Sequence, residues 1–204
     1  MVNVAKADTL TFTSGIRSIY QDAKGNYWFG SHQEGACLFD GKSFKYFSIN
    51  DGLADNQVRS IKADEKGNIW LGTANGVSMY NGEKLTSYPT PINFPQVDWK
   101  ATAGNLWFNA GIHAGVNRFD GQNLNYLPFP QPTNEHNNFS YEVTAISPAN
   151  DGTVWIGTYV SLFHFNGETV TVFDKAQLAL QTREELHIRS VLADSKGRIW
   201  IGNN

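Results

Sequence analysis

Residues 64–72 read Asp64-Glu65-Lys66-Gly67-Asn68-Ile69-Trp70-Leu71-Gly72: a polar turn closed by glycine, then an apolar strand. The chain writes this stretch five times. The other copies are Asp22-Ala23-Lys24-Gly25-Asn26-Tyr27-Trp28-Phe29-Gly30, Ala103-Gly104-Asn105-Leu106-Trp107-Phe108-Asn109, Asn150-Asp151-Gly152-Thr153-Val154-Trp155-Ile156-Gly157 and Asp194-Ser195-Lys196-Gly197-Arg198-Ile199-Trp200-Ile201-Gly202. From Trp28 through Trp70, Trp107 and Trp155 to Trp200 the steps are 42, 37, 48 and 45 residues. A recurring period of about 40 to 50 residues suits one four-stranded propeller blade.

Three further strands surround each tryptophan strand. Ahead of the turn lie Ile16-Arg17-Ser18-Ile19-Tyr20, Val58-Arg59-Ser60-Ile61, Val143-Thr144-Ala145-Ile146 and Ile188-Arg189-Ser190-Val191, read as alternating strands. After it come third strands such as Ala36-Cys37-Leu38-Phe39 and Val77-Ser78-Met79-Tyr80, ending at Asp40-Gly41, Asn81-Gly82, Asp120-Gly121 or Asn166-Gly167. Those pairs are strong hairpin signals, and a fourth strand follows each. The expected fold is all-β, a five-bladed β-propeller in one domain with four antiparallel strands per blade. The blades fall at about 15–48, 57–88, 96–128, 142–173 and 187–204. Residues 2–14 are expected to complete the last one, so that the two chain ends close the ring and leave no exposed edge. A short helix is expected over 175–182.

Composition narrows the function classes. The chain has 204 residues and a net charge of -3, with no Lys/Arg run, which excludes a nucleic-acid face. No apolar run is long enough to span a bilayer. One cysteine, Cys37, excludes an internal disulfide and reads as a buried thiol. The opening residues lack the apolar core of a signal peptide, which leaves a cytoplasmic location open beside a mature exported form. The tryptophans, one per blade at a fixed strand position, read as packing between sheets. Trp99 falls outside that register. The Asp-x-Lys-Gly-Asn turns read as structural, with the aspartate capping its own turn rather than holding calcium.

The pattern Ile-Arg-Ser-Ile, Asp-x-Lys-Gly-Asn-x-Trp-x-Gly, Asp-Gly-Lys-Ser-Phe and Asn50-Asp51-Gly52-Leu53-Ala54-Asp55-Asn56-Gln57-Val58 resembles the two-component regulator propeller repeat. That repeat builds the periplasmic sensor region of bacterial hybrid two-component systems, many of which respond to glycan fragments. The sequence shows no trailing immunoglobulin-like domain, membrane helix or kinase, and fewer blades than those sensors. The resemblance therefore implies fold, a binding role, and a periplasmic or secreted location. It transfers no catalytic residues and implies no cofactor.

By analogy of fold, the propeller face made by the second-to-third connections and by the loops leading into the first strands binds ligands. On that face lie His32, His113, Tyr159, His187, Asp98, Trp99 and Tyr141. The second position of the first strand adds Arg17, Arg59 and Arg189, which are expected to converge near the channel mouth. A guanidinium fork suits carboxylate or phosphate. The expected function is a non-catalytic ligand-binding or sensing module for a small polar or saccharide ligand, including an acidic one, with a signalling protein as partner. One alternative is a lyase or hydrolase using His32, His113, His136 and His187 with Glu34, Glu135 and Glu142. His164 lies inside a strand and reads as structural. The other alternative is an interaction scaffold, including an engineered or trimmed repeat array.

Overall fold

In the computed structural model the described residues are 4–5, 9–90, 104–130, 142–178 and 186–203. The protein is all-β, with propeller-like sheets of antiparallel strands. It divides into two compact units, Met1–Thr90 and Pro91–Asn204.

The first unit holds two sheets. The first is built from β1 (Val4–Ala5), β2 (Ile16–Gln21), β3 (Tyr27–Ser31), β4 (Ala36–Phe39) and β5 (Phe44–Phe47). The second is built from β6 (Val58–Ala63), β7 (Ile69–Thr73), β8 (Gly76–Tyr80) and β9 (Leu85–Tyr88), paired in chain order. Between β5 and β6 the Asp-Gly-Leu element makes a 3-10 turn over Ile49–Asp51, capped by Ser48. Gly52 ends it at φ 97, a left-handed conformation that glycine adopts without strain, and delivers Leu53 into the core.

Among the described residues the second unit has three sheets. The third sheet contains β10 (Leu106–Asn109), β11 (Gly115–Phe119) and β12 (Leu124–Pro128). The fourth contains β13 (Val143–Pro148), β14 (Val154–Thr158), β15 (Leu162–Phe165) and β16 (Val170–Phe173). The fifth has β17 (Ile188–Ala193) and β18 (Ile199–Asn203).

Closure by the chain ends is corrected by the pairing. Val4 and Ala5 lie opposite Lys45 and Phe44, so β1 extends the first sheet instead of adding to the fifth. No strand forms over residues 9–13. Tyr46 of β5 and Glu34 of the loop between β3 and β4 hold the following segment: Thr11 N donates to Tyr46 Oη, and Thr13 N and Ser14 N to Glu34 Oε2. The first strand expected over 96–100 and most of the helix expected over 175–182 lie outside the described residues. Residues 175–178 form a turn, with Leu178 N bonded to Asp174 O.

The core lies between neighbouring sheets. Trp28 of the first sheet packs with Val58, Ile61, Ile69, Leu71 and Tyr80 of the second. Trp107 of the third packs with Val143, Val154 and Ile156 of the fourth, and Trp155 of the fourth against Ile188 and Val191 of the fifth. Trp28, Trp70 and Trp107 are buried, Trp155 is half-buried, and Trp200 is 55% exposed, and packing between sheets is seen for Trp28, Trp107 and Trp155. Cys37 is wholly buried, and burial pushes its thiol up to about 12.

Glycine of Trp-x-Gly is where the next sheet crosses. A Cβ on Gly30 would meet Ser18 Oγ and would stand 2.7 Å from Val58 Cγ1 and 2.9 Å from Val58 O. On Gly157 it would meet Ile188 and Val191 in the same way.

Candidate functional site

The first strands are not regular. β2, β6, β13 and β17 each shift register at their second residue: between Ile16 and Ser18, Val58 and Ser60, Val143 and Ala145, and Ile188 and Ser190. This corrects the alternating reading. The apolar residues there are three apart (Ile16 and Ile19, Val58 and Ile61, Ile188 and Val191), and a bulge absorbs the extra residue. A bulge leaves its residue unpaired and re-aims its side chain. Three of the four bulge residues are Arg17, Arg59 and Arg189. In the fourth, Thr144 Oγ1 donates to Gly157 O within its own sheet.

In the first unit these bulges build a polar bridge across two sheets. Arg17 Nε donates to His32 Nδ1 at 2.8 Å, and Gln57 Nε2 approaches the same nitrogen at 3.4 Å. Gln57 Oε1 accepts from Arg59 Nε at 2.7 Å. With both neighbours donating, His32 Nδ1 is the acceptor and its Nε2 carries the proton. His32 N in turn donates to Gly15 O, which fixes the loop after β3.

The second unit repeats the plan with other side chains. Tyr159 stands where His32 stands, after the second strand, and His187 stands where Gln57 stands, just before the next first strand. Their rings meet edge-on with centroids 5.6 Å apart. Arg189 covers the Tyr159 ring at 5.2 Å and donates from Nη1 to its Oη at 3.5 Å. Gln57 was not among the residues singled out from sequence. Its signal is positional, since it shares the His187 register ahead of the bulge.

Arg17 and Arg189 differ from an ordinary ion-paired rim. Among the described residues, neither Arg17 nor Arg189 forms a salt bridge with a carboxylate, and both are exposed. Arg17 makes its contact through Nε and Arg189 through Nη1.

Four described members of the histidine–glutamate set, His32, Glu34, His113 and His187, each have a partner outside it. Glu34 is bound to the backbone of Ser14 and Thr13, which holds its carboxyl down at about 2, far below what a general base needs near neutral pH. His113 packs edge-on against Tyr126, whose Oη donates to Ala114 O. His164 stacks on Trp155 at 4.1 Å, as a structural residue would, and burial lowers its pKa. Among the described residues no group of three His, Cys, Asp or Glu could hold a metal ion. Asp98, Trp99, Tyr141, Glu135 and His136 lie outside the described residues. Among the described residues no helix is long and apolar enough to cross a membrane.

The turns carry a second polar pattern. Asp22 and Asp64 each accept from two backbone N–H groups of their own turn, from the Asn26 or Asn68 side chain, and from the Trp28 or Trp70 indole. This bears out the turn-capping reading and adds the indole, six residues on. Between these two turns lies a cleft of about 460 Å³, lined by Tyr20, Leu38, Ile69 and Tyr80 among others.

Comparison with known proteins follows the same repeats. The two-component regulator propeller profile matches residues 12–33, 52–75, 139–160 and 184–204, each a first strand, turn and tryptophan strand. No curated protein matches in sequence. In structure the chain is similar to the extracellular domain of the putative hybrid two component system BT4673 from B. thetaiotaomicron. The TM-score is 0.70 at 18% identity, over 98% of this chain and 27% of that one. The corresponding domain of BT3049 from the same organism gives 0.67 at 22% identity, over 92% and 26%. Virginiamycin B lyase from Staphylococcus aureus gives 0.69 at 16% identity, over 100% and 68%. At these identities the likeness is one of fold. The chain spans about a quarter of the sensor domains it matches. At the level of sequence the chain carries the two-component regulator propeller repeat, matched four times.

Proposed function

We propose that this chain is a non-catalytic sensing module that binds small polar or saccharide ligands carrying an acidic group at its bulge arginines, Arg17 in the first unit and Arg189 in the second, each unit by itself. The observation that carries the reading is the presentation of Arg17 and Arg189 on β-bulges beside His32 and Tyr159. An exposed guanidinium fork held by a neutral partner keeps N–H donors for a carboxylate. The Tyr159 ring offers an apolar face with a polar tip, which suits a sugar ring. Sensor propellers are extracellular in the systems this fold resembles, so the module works outside the cytoplasm and passes its signal to a partner protein. The repeats and the fold support that placement.

Thermal unfolding with uronate-bearing and neutral oligosaccharides tests the reading. A uronate ligand is expected to raise Tm, Arg17→Ala and Arg189→Ala each to reduce the rise, and the double variant to abolish it. A response to neutral sugars alone removes the acidic group from the reading, and no response across the panel overturns it.

A further inference from the structure

The cleft between the Asp22 and Asp64 turns lies at the far end of the first strands from the bulge arginines. Every residue that lines it falls between Tyr20 and Gly82, within the first unit. Strand register sets its floor: Tyr20, Trp28 and Leu38 share one face of the first sheet, and Ala63, Ile69 and Tyr80 meet them from the second. Its volume of about 460 Å³ and its apolar floor with a polar rim are those of a small-molecule site. The junction of the fourth and fifth sheets is built differently at this end. There Ser147 Oγ accepts from Ala193 N at 2.9 Å and ties the two first strands together, and Ala149 stands in place of the turn aspartate. Tyr20 occupies the Ser147 position, opposite the tryptophan of its sheet. It is half-buried, and its hydroxyl has no hydrogen-bond partner among the described residues.

The rim is anionic, and its two fixed charges have no acceptor sites left. Asp22 Oδ1 accepts from the backbone of Lys24 and Asn26, and Oδ2 from the Asn26 side chain and the Trp28 indole. Asp64 repeats this with Lys66, Asn68 and Trp70. A carboxylate has about four lone-pair sites, so both are fully used. Burial works against their charge, but these bonds hold both carboxyls below their ordinary value. Glu65 adds a third negative charge to the lining, and Lys24 opposes it. Lys45 is a further cation beside the site, 4.9 Å from the Tyr80 ring and donating to its hydroxyl. A ligand here answers to a negative field without handing N–H groups to Asp22 or Asp64, and lays apolar surface on Tyr20, Leu38 and Ile69. A primary ammonium needs acceptors for its three donors; a fully alkylated ammonium needs none.

We propose that the cleft binds a quaternary ammonium group, with Tyr20 as its aromatic contact and Asp22, Asp64 and Glu65 as its counter-charge. An aromatic ring face attracts an alkylated cation, and the turn carboxylates act on it through their charge alone. The site stands apart from the bulge arginines and takes a ligand of the opposite sign, so neither reading depends on the other.

Titration of the isotope-labelled full chain with choline, and with its neutral carbon isostere 3,3-dimethylbutan-1-ol, tests this by NMR. Choline is expected to move the Trp28 indole resonance and the amides of the Asp22 and Asp64 turns. It is expected to bind about threefold tighter than the alcohol, the margin of a cation–π contact at a partly exposed ring. Tyr20→Leu, which keeps an apolar side chain on the floor, is expected to remove that margin. Lys24→Gln is expected to tighten choline about twofold and Glu65→Gln to loosen it about twofold, the scale of exposed charges. Lys24 and Glu65 are both exposed, and circular dichroism confirms that each variant folds. Four results overturn the proposal: no movement of these resonances with choline, an alcohol that binds as tightly, a margin that survives in folded Tyr20→Leu, or Lys24 and Glu65 variants that shift choline in the same direction.

Discussion

Asp64 shows how much one side chain does in this repeat. Burial raises its pKa, but hydrogen bonds from the Trp70 indole, the Asn68 side chain and the backbone of Asn68 and Lys66 outweigh that and hold it low. Removing the carboxylate leaves a buried indole N–H and two turn amides without their acceptor. Asp64→Ala is therefore expected to destabilise the protein by about 2–3 kcal/mol, given the cost of unsatisfied buried donors. Urea unfolding followed by tryptophan fluorescence measures it; a change within about 0.5 kcal/mol, ordinary for a surface site, contradicts the role given to Asp64. The fourth repeat has Ala149 at this position, and there Trp155 stacks on His164 and Phe173 instead.

At the scale of the element, the tryptophan strand and the next first strand are fitted to each other. Gly30 has no room for a methyl group because Val58, backbone oxygen included, already stands there. Gly30→Ala is expected to cost about 1–3 kcal/mol, the range for overpacking a core. A matched Gly25→Ala, at a turn with open space around it, is the control for close approach, although its φ of 84 carries a strain of its own. Equal losses in both variants, read from denaturant midpoints, count against crossing as the reason for the glycine. The bulge belongs to this scale as well. Its three-residue apolar spacing is visible in sequence, and reading it as plain alternation places the arginine in a regular ladder where it would not be re-aimed.

For the molecule as a whole, the repeated turns set the response to acid. Asp22, Glu34, Asp40, Asp64, Asp120, Asp151 and Asp194 are all held below their ordinary values, Glu34 and Asp194 at about 2. Backbone N–H groups are the first cause for Glu34 and Asp194. A carboxyl whose folded pKa is depressed contributes stability that is complete above its unfolded value, near 4, and lost as pH falls through the folded value. Stability is expected to slip as pH falls from 7 to about 5, because the His164 imidazole, its pKa lowered by burial, resists the proton that the unfolded chain accepts, and to fall steeply between about 4 and 2. Urea midpoints at stepped pH check this, and a midpoint that rises in that window contradicts it.

The sequence by itself determined the five turn-and-tryptophan units, their strand order and their all-β class, because each of these depends on residues within one repeat. Asp-Gly and Lys-Gly-Asn turns close locally, and a strand's partner is its chain neighbour. Which sheet received the amino-terminal strand, and which side chains met at the rim, only the tertiary structure decided. Val4 and Ala5 had more than one open sheet edge to choose from, and pairing with β5 is a contact across about forty residues that no local pattern encodes. Likewise His32 finds Gln57 only because two sheets pack with the bulges side by side, a placement set by the fit of Gly30 against Val58.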